Sequence, residues 1–307
     1  MVHGKSASER IFNAANVLLM TMLALATLYP FYYAAINSFN SGNAILRGFS
    51  AIWPDEPSAA SWRTVLSDAT VARAFGVSAL RTALVTAGSL FITSMFAYAY
   101  SRTYLAGKKF YTALGFTCMY FSGGVIPFFL LISWMGMYDT FGVYVIPSLF
   151  GGFYNVIIYN ANFKALPDSL FESAKLDGAS ERAIYFRIVL PLSKPVIAAL
   201  GVFTAVGVWN DFTASLYYTQ NPDLQTLQYF ILKLIRSYNA TEQLASSAMA
   251  NDAVIANLLN NARGMGEANS KTIELAAMML SSLPMILVYP FAQKFFVHGM
   301  LLGSVKE

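Results

Sequence analysis

Glu172-Ser173-Ala174-Lys175-Leu176-Asp177-Gly178-Ala179, continued at Ile188-Val189-Leu190-Pro191, is an abrupt polar island in a strongly apolar chain. Lys164, Asp168, Glu172, Lys175, Asp177, Glu181, Arg182, Arg187 and Lys194 crowd this one segment, with long uncharged runs on either side. Only 12% of the 307 residues are charged, about half the ~25% of an ordinary soluble domain. Such a local density marks a surface that stays in water and is open to being gripped.

The surroundings of the island set the class. The chain is 56% hydrophobic with a mean hydropathy of +0.51, which is the composition of a polytopic membrane protein. Its net charge of +4 is no nucleic-acid signature, because basic residues in such proteins mark cytoplasmic loops. Cys118 is the single cysteine, and His3 and His298 are the only histidines. A disulfide is excluded, and a metal or catalytic centre built on these residues is not expected.

Outward from the island, apolar runs occupy about 11–36, 75–100, 110–134, 141–163, 195–218 and 275–297. Each matches the ~17–25 residues of a membrane-crossing helix. They are continuously apolar rather than alternating, so six helices are expected and a barrel is not. The first run has no Ala-x-Ala cleavage signal after a short core and reads as a retained span. Gly4-Lys5-Ser6 looks like the tail of a phosphate loop, but lacks both the upstream glycine and the strand.

Lysine and arginine in the short flanks orient the spans. The N-terminus (Lys5, Arg10), the 101–109 turn (Arg102, Lys108, Lys109), the 164–195 loop and the tail (Lys294, Lys306) fall on one side. That side is expected to be the cytoplasm, with both chain ends inside. The 40–73 and 219–270 connections and the turn from Gly136 to Thr140 lie opposite. Leu224, Leu227, Ile231, Leu234 and Ile235 recur at helical spacing in 219–270, and Leu244, Met249, Ile255, Leu258 and Leu259 less regularly. An external cap of amphipathic helices and a re-entrant scoop both fit that pattern.

Within the island, Leu166-Pro167-Asp168-Ser169 starts a helix, with proline suited to its beginning and an acid near its N-terminus. Gly178 closes it, Ser180 caps a second helix through Tyr185, Phe186, Ile188 and Val189, and Pro191 and Pro195 are expected to stop that one. The product is a helix–turn–helix elbow with small residues, Ser173, Ala174 and Ala179, near its tip. Physics alone leaves two readings open, a docking element and an amphipathic loop lying on the bilayer.

The spacing Glu172, Ala174, Gly178, Ile188, Leu190, Pro191 resembles the Glu-Ala-Ala motif of ATP-binding-cassette importer permeases, with Asp177 and Ala179 completing its Asp-Gly-Ala form. Ser173 replaces the first alanine and stays small. Ser122-Gly123-Gly124-Val125-Ile126-Pro127, Val208-Trp209-Asn210-Asp211, and the stretches Leu283-Pro284, Tyr289-Pro290-Phe291 and Gly303-Ser304-Val305-Lys306 resemble the subfamily that handles complex oligosaccharides. The likeness spans essentially the whole chain. It implies a type I (MetI-like) permease fold, all-α with six spans, and a cytoplasmic coupling helix between spans four and five.

The resemblance further implies a subunit of a bacterial plasma-membrane importer of oligosaccharides, including uronate-bearing ones. Glu172 would contact a separate ATPase. Ala174 and Gly178, with Ser173, Asp177 and Ala179, would allow close approach, and Leu190 and Pro191 would fix the elbow to the fifth span. Implied partners are a second, related permease, an ATPase dimer and an external sugar-binding protein, besides membrane lipid. No nucleic acid is implied. The chain has no full Gly-x4-Gly-Lys-Ser/Thr motif, and the resemblance implies that ATP and magnesium would belong to the partner ATPase, with no cofactor and no enzymatic activity expected of this chain.

Polar and aromatic residues inside the runs are candidates for the substrate path: Tyr120, Ser122, Asn155, Tyr159, Asn160, Trp209, Asn210 and Asp211. Intramembrane polar groups face bundle interiors or cavities, although tyrosine and tryptophan also anchor interfaces and asparagine glues helices. Asp211 stands out as an ionisable group within a span. A secondary transporter would carry internal repeats and broken helices at matching positions, and none stands out. A permease for a non-sugar solute is the nearer alternative. A membrane hydrolase would need a catalytic set that the spans lack.

Overall fold

Apolar runs of this length offer the backbone no water, so its N–H and C=O groups are satisfied within helices. The structure, a computed structural model, describes residues 7–248 and 268–304. Among these, one isolated bridge between Asn40 and Pro57 aside, every regular element is helical. Met249, Ile255, Leu258, Leu259, Val305, Lys306 and the Gly4-Lys5-Ser6 stretch lie outside the described residues.

In chain order the helices are α1 (Ala7–Ser38), α2 (Gly42–Arg47), α3 (Ala60–Ser67), α4 (Ala69–Ser101), α5 (Lys108–Tyr120), α6 (Val125–Trp134), α7 (Gly142–Leu149) and α8 (Phe153–Lys164). Then come α9 (Asp168–Leu176), α10 (Glu181–Leu192), α11 (Lys194–Asn210), α12 (Thr213–Tyr218), α13 (Leu227–Ala248) and α14 (Ser270–Ser304). α1, α4 and the Lys271–Pro290 part of α14 are each long and apolar enough to cross a bilayer. The pairs α5/α6, α7/α8 and α10/α11 meet the same test jointly but bend by 115°, 44° and 78°.

Two compact units are present, Met1–Ala69 with Lys233–Leu283, and Thr70–Leu232 with Pro284–Glu307. In the first, the most apolar window of α1 is exposed to its surroundings among the described residues, as befits a helix that faces lipid. The 40–73 connection is a knot rather than a loose strap. Asn37 exchanges two hydrogen bonds with the Ser50 backbone, at 2.8 and 2.9 Å. Asn40 donates to the Ser50 hydroxyl at 2.9 Å and accepts from the Glu56 N–H at 3.0 Å. Asn37 and Asn40 are fully buried, and buried amides are tolerable because they are paired this way.

In the second unit α4 is the axis. Its 33 residues span about 50 Å, well beyond the ~30 Å of hydrocarbon. Val71, Ala74, Ser78, Arg81, Val85 and Ser89 are buried at three- and four-residue spacing, and the small members let neighbouring helices approach. One apolar core surrounds the later part of α4, with Ala97, Tyr98, Val156, Tyr159, Phe163, Phe171, Ile184 and Val189. Another gathers Ile132, Met137, Val143 and Tyr144.

The third apolar run is a sharply bent pair rather than one straight rod. Phe121 leaves α5 extended, and Gly124 takes a φ of 84°, which costs a residue without Cβ little. Pro127 then sits within the first turn of α6, where its missing N–H leaves no bond unmade. The fifth run is also interrupted, with α11 ending at Asn210 and α12 resuming at Thr213.

Candidate functional site

The polar island folds as a capped elbow. Pro167 precedes α9 as its N-cap, with Asp168 in the first turn. At the other end the Ala179 N–H donates to the Ala174 carbonyl at 2.9 Å and the Gly178 N–H to that of Lys175 at 3.0 Å. These are the paired bonds of a Schellman closure. Gly178 adopts a φ of 74°, the left-handed conformation which that closure needs. Ser180 then accepts from the Ala183 N–H at 3.3 Å and caps α10.

Pro191 does not stop the second helix, contrary to expectation. α10 runs on to Leu192 because Tyr185–Val189 forms a π turn, with the Leu190 N–H reaching the Tyr185 carbonyl. The widened turn accommodates the proline, which has no N–H to donate and whose ring would otherwise crowd the carbonyl four residues back. The chain turns at Ser193, and α11 departs at 78° with Pro195 in its first turn.

One face of the elbow packs on this chain and the other faces solvent. Phe171 and Ala174 are buried in the core around α4 and α8, with Ala179 packed against them. The Ala174 side chain thus packs against this chain's own helices. Glu172, Ser173, Lys175, Leu176, Asp177 and Gly178 face solvent, and Leu176 is 89% exposed. Glu172 has no ion-pair partner among the described residues. Leu190 is half-buried and Pro191 exposed where the elbow rejoins α11.

The elbow is fastened to the end of α4 through Glu181. One carboxylate oxygen accepts from the Tyr98 hydroxyl at 2.5 Å, and the other from the Tyr104 hydroxyl at 2.5 Å. Lys175 approaches the latter oxygen at 3.2 Å. Burial pushes the Glu181 pKa up, but the hydroxyls of Tyr104 and Tyr98 and the Lys175 ammonium outweigh it, leaving the pKa at about 2. The Arg102 guanidinium lies over the Tyr98 ring at 4.4 Å and the Phe171 ring at 3.9 Å. The Ser94 and Tyr185 hydroxyls share a bond of 2.7 Å.

The substrate-path candidates scatter. Tyr159 is fully buried and stacks on Phe163, so its face is taken up by the core. Trp209 is buried with Phe75 at its edge. Tyr120 is 73% exposed, Asn155 and Asn160 are half-buried, and the Ser122 hydroxyl accepts from the Gly124 N–H at 3.2 Å. Asn210 donates back to the Val206 carbonyl of its own helix at 3.0 Å.

Asp211 caps the end of α11, accepting from the Thr213 N–H at 2.9 Å and from the Thr213 hydroxyl. Its carboxylate is paired with Arg81 of α4. That partner had a readable signal: Arg81 is the only charge in the 75–100 run and Asp211 the only one in 195–218. The latch around Glu181 had none, since its tyrosine partners lie 83 and 77 residues away in sequence. Among the described residues, no cluster of histidine, cysteine and acid side chains is arranged to hold a metal ion.

Comparison with known proteins agrees with this architecture. Residues 103–302 match the family described as binding-protein-dependent transport system inner membrane component. Protein LplC of Bacillus subtilis (strain 168) is 35% identical over 97% of this chain and 95% of its own length. The polygalacturonan/rhamnogalacturonan transport system permease protein YtcP of the same organism is 33% identical over 97% and 99%. A chain in the crystal structure of a bacterial transporter that imports the acidic polysaccharide alginate superposes with a TM-score of 0.81. It is 26% identical, and the match covers 95% of this chain and 99% of that one. A membrane-permease fold, a family model spanning about two thirds of the chain and relatives aligned nearly end to end leave one assignment: the chain belongs to the family of binding-protein-dependent transport system inner membrane components.

Proposed function

We propose that this chain is the permease subunit of an ATP-driven importer of oligosaccharides, with acidic ones favoured, and that residues 164–195 are where a separate ATPase grips it. The names of YtcP and of the alginate transporter support the substrate class. The observation that carries the docking assignment is the solvent-facing strip of Glu172, Ser173, Leu176 and Asp177 on a turn locked by its own backbone bonds. A rigid turn presenting an acid and a leucine suits a preformed groove with a basic residue, because little ordering entropy remains to be lost on docking.

In this reading six spans cross the membrane: α1, α4, the pairs α5/α6 and α7/α8, α11 continued by α12, and α14. The arm α10 stays outside the hydrocarbon, since Glu181, Arg182 and Arg187 would be costly within it. Lys and Arg in the flanks favour cytoplasmic chain ends. ATP and magnesium bind the partner ATPase, a related permease completes the pathway, and an external binding protein delivers the sugar.

Affinity purification of the tagged chain from its native membrane tests this. An ATPase and a second permease should accompany it, and vanadate should block oligogalacturonate uptake into proteoliposomes holding the complex. Uptake by the isolated chain driven by a proton gradient would overturn the reading.

A further inference from the structure

We infer that Glu181 is a positioning residue for coupling: with Tyr98 and Tyr104 it forms a strut that delivers displacement of the elbow into α4. The inference rests on the proposed docking role of the elbow, and the experiment below separates the two.

The contact is unusual in what it joins. A single carboxylate, on the first residue of α10, is held by Lys175 of the other elbow arm, by Tyr98 in the last turn of α4 and by Tyr104 in the loop that follows. Both arms of the elbow and the end of the second span therefore meet at one group. The remaining contacts between elbow and α4 are one neutral hydroxyl bond, Ser94 to Tyr185 at 2.7 Å, and the apolar packing of Phe171, Ile184 and Val189 with Ala97 and Tyr98. Apolar contacts resist separation but are non-directional and offer little resistance to sliding. Hydrogen bonds to an ionised acceptor are short, directional and about twice as strong as neutral ones. They transmit sideways as well as inward movement.

Position in the chain fits the same role. Glu181 lies three residues after Gly178, so a load on the turn reaches it before the rest of α10. The recipient helix is continuous: Tyr98 and Arg81 both lie on α4, about 26 Å apart at 1.5 Å per residue. A push at the elbow thus arrives on the helix that holds Asp211 at the far break in the fifth span.

The test uses the whole complex of permeases, ATPase and binding protein in proteoliposomes. Cys118 is replaced by alanine and Ala79→Cys is introduced on the exposed side of α4 as a thiol reporter. Its modification rate is compared with and without ATP, magnesium and vanadate. The intact strut should give a nucleotide-dependent change, and Tyr98→Phe/Tyr104→Phe should shrink it about tenfold, within the usual span of coupling between sites. Glu181→Gln, which keeps one acceptor, should restore part of what Glu181→Ala loses, while the ATPase stays bound throughout. An undiminished change in the Tyr98→Phe/Tyr104→Phe variant would overturn the strut, as would a reporter that never responds. Loss of the ATPase from that variant would also overturn it, because the contact would then only hold the elbow's shape. Failure of the docking role reads differently: Glu172→Ala would leave ATPase binding and uptake intact.

Discussion

Arg81 grips Asp211 at two points, donating to its backbone carbonyl at 2.9 Å and to its carboxylate. The arginine side chain is 4% exposed and the acid 29%, and the guanidinium also lies 5.0 Å from the centre of the Tyr144 ring. Tyr144 in turn bonds Ser215 and the Leu224 carbonyl, each at 2.7 Å. The pair therefore ties α4 and α7 to the break between α11 and α12. Removing one partner strands the other, which costs about 3–5 kcal/mol for a buried pair. Arg81→Gln and Asp211→Asn should each lower the thermal stability of the purified complex markedly, and Arg81→Gln/Asp211→Asn should lose less than their sum. Strict additivity in a double-mutant cycle would contradict this.

Gly178 is constrained by conformation and not by space. Its φ is 74° and a Cβ built there meets nothing within 4 Å. The cost of substitution is then the left-handed penalty, about 1–2 kcal/mol for an ordinary residue. Asparagine tolerates that region better than a branched side chain does. Gly178→Asn should keep most ATPase binding, and Gly178→Val should lose most of it. Equal loss in both would mean that the ATPase surface itself occupies the space above the turn.

Glu172 and Leu176 divide the docking strip between charge and apolar area. Truncating one partner of an interfacial charge pair that becomes buried costs about 2–5 kcal/mol, so Glu172→Ala should weaken ATPase co-purification strongly while membrane insertion survives. Leu176 is free of the chain's own core, so Leu176→Asp should leave the permease as stable as before and still abolish docking. A fall in the stability of the isolated permease would show that Leu176 packs internally instead.

How much of this could be read from residues follows the range of the interactions. The elbow was legible because its signals are local: Gly178 closes a helix and Ser180 caps the next within three residues. The pairing of Glu181 with Tyr98 and Tyr104 crosses 83 and 77 residues, and no short-range rule reports it. Arg81 and Asp211 are 130 residues apart; the rarity of charge in spans singled out Asp211, while Arg81, the lone charge of its own run, went unread. The 115° bend between α5 and α6 left only Ser122-Gly123-Gly124 as its trace, an interruption too short to split the apolar run in a span-length hydropathy window. Pro191 misled for a related reason, since a π turn is an accommodation that helix-stop signals do not foresee.

The ionisations within the latch fix how its stability responds to pH. Glu181 ionises at about 2 instead of 4.5, so its folded form binds fewer protons than the unfolded one between those values. Its contribution is complete above 4.5 and is lost as pH falls towards about 2. Lys175 is raised, chiefly by its bond to Glu181, and its contribution persists until pH climbs above its ordinary value and through the raised one. Tyr104 is raised by burial and then by Glu181, and so keeps its proton in the same range. The contribution of the latch to the stability of the permease should therefore stay flat from about pH 5.5 to about pH 9 in thermal unfolding. Without the two tyrosine hydroxyls burial still pushes Glu181 up, while only Lys175 remains to hold it down. Tyr98→Phe/Tyr104→Phe should consequently become acid-sensitive, its thermal stability declining at a higher pH than that of the unaltered protein. Identical pH profiles for the two would show that the hydroxyls do not govern the carboxylate.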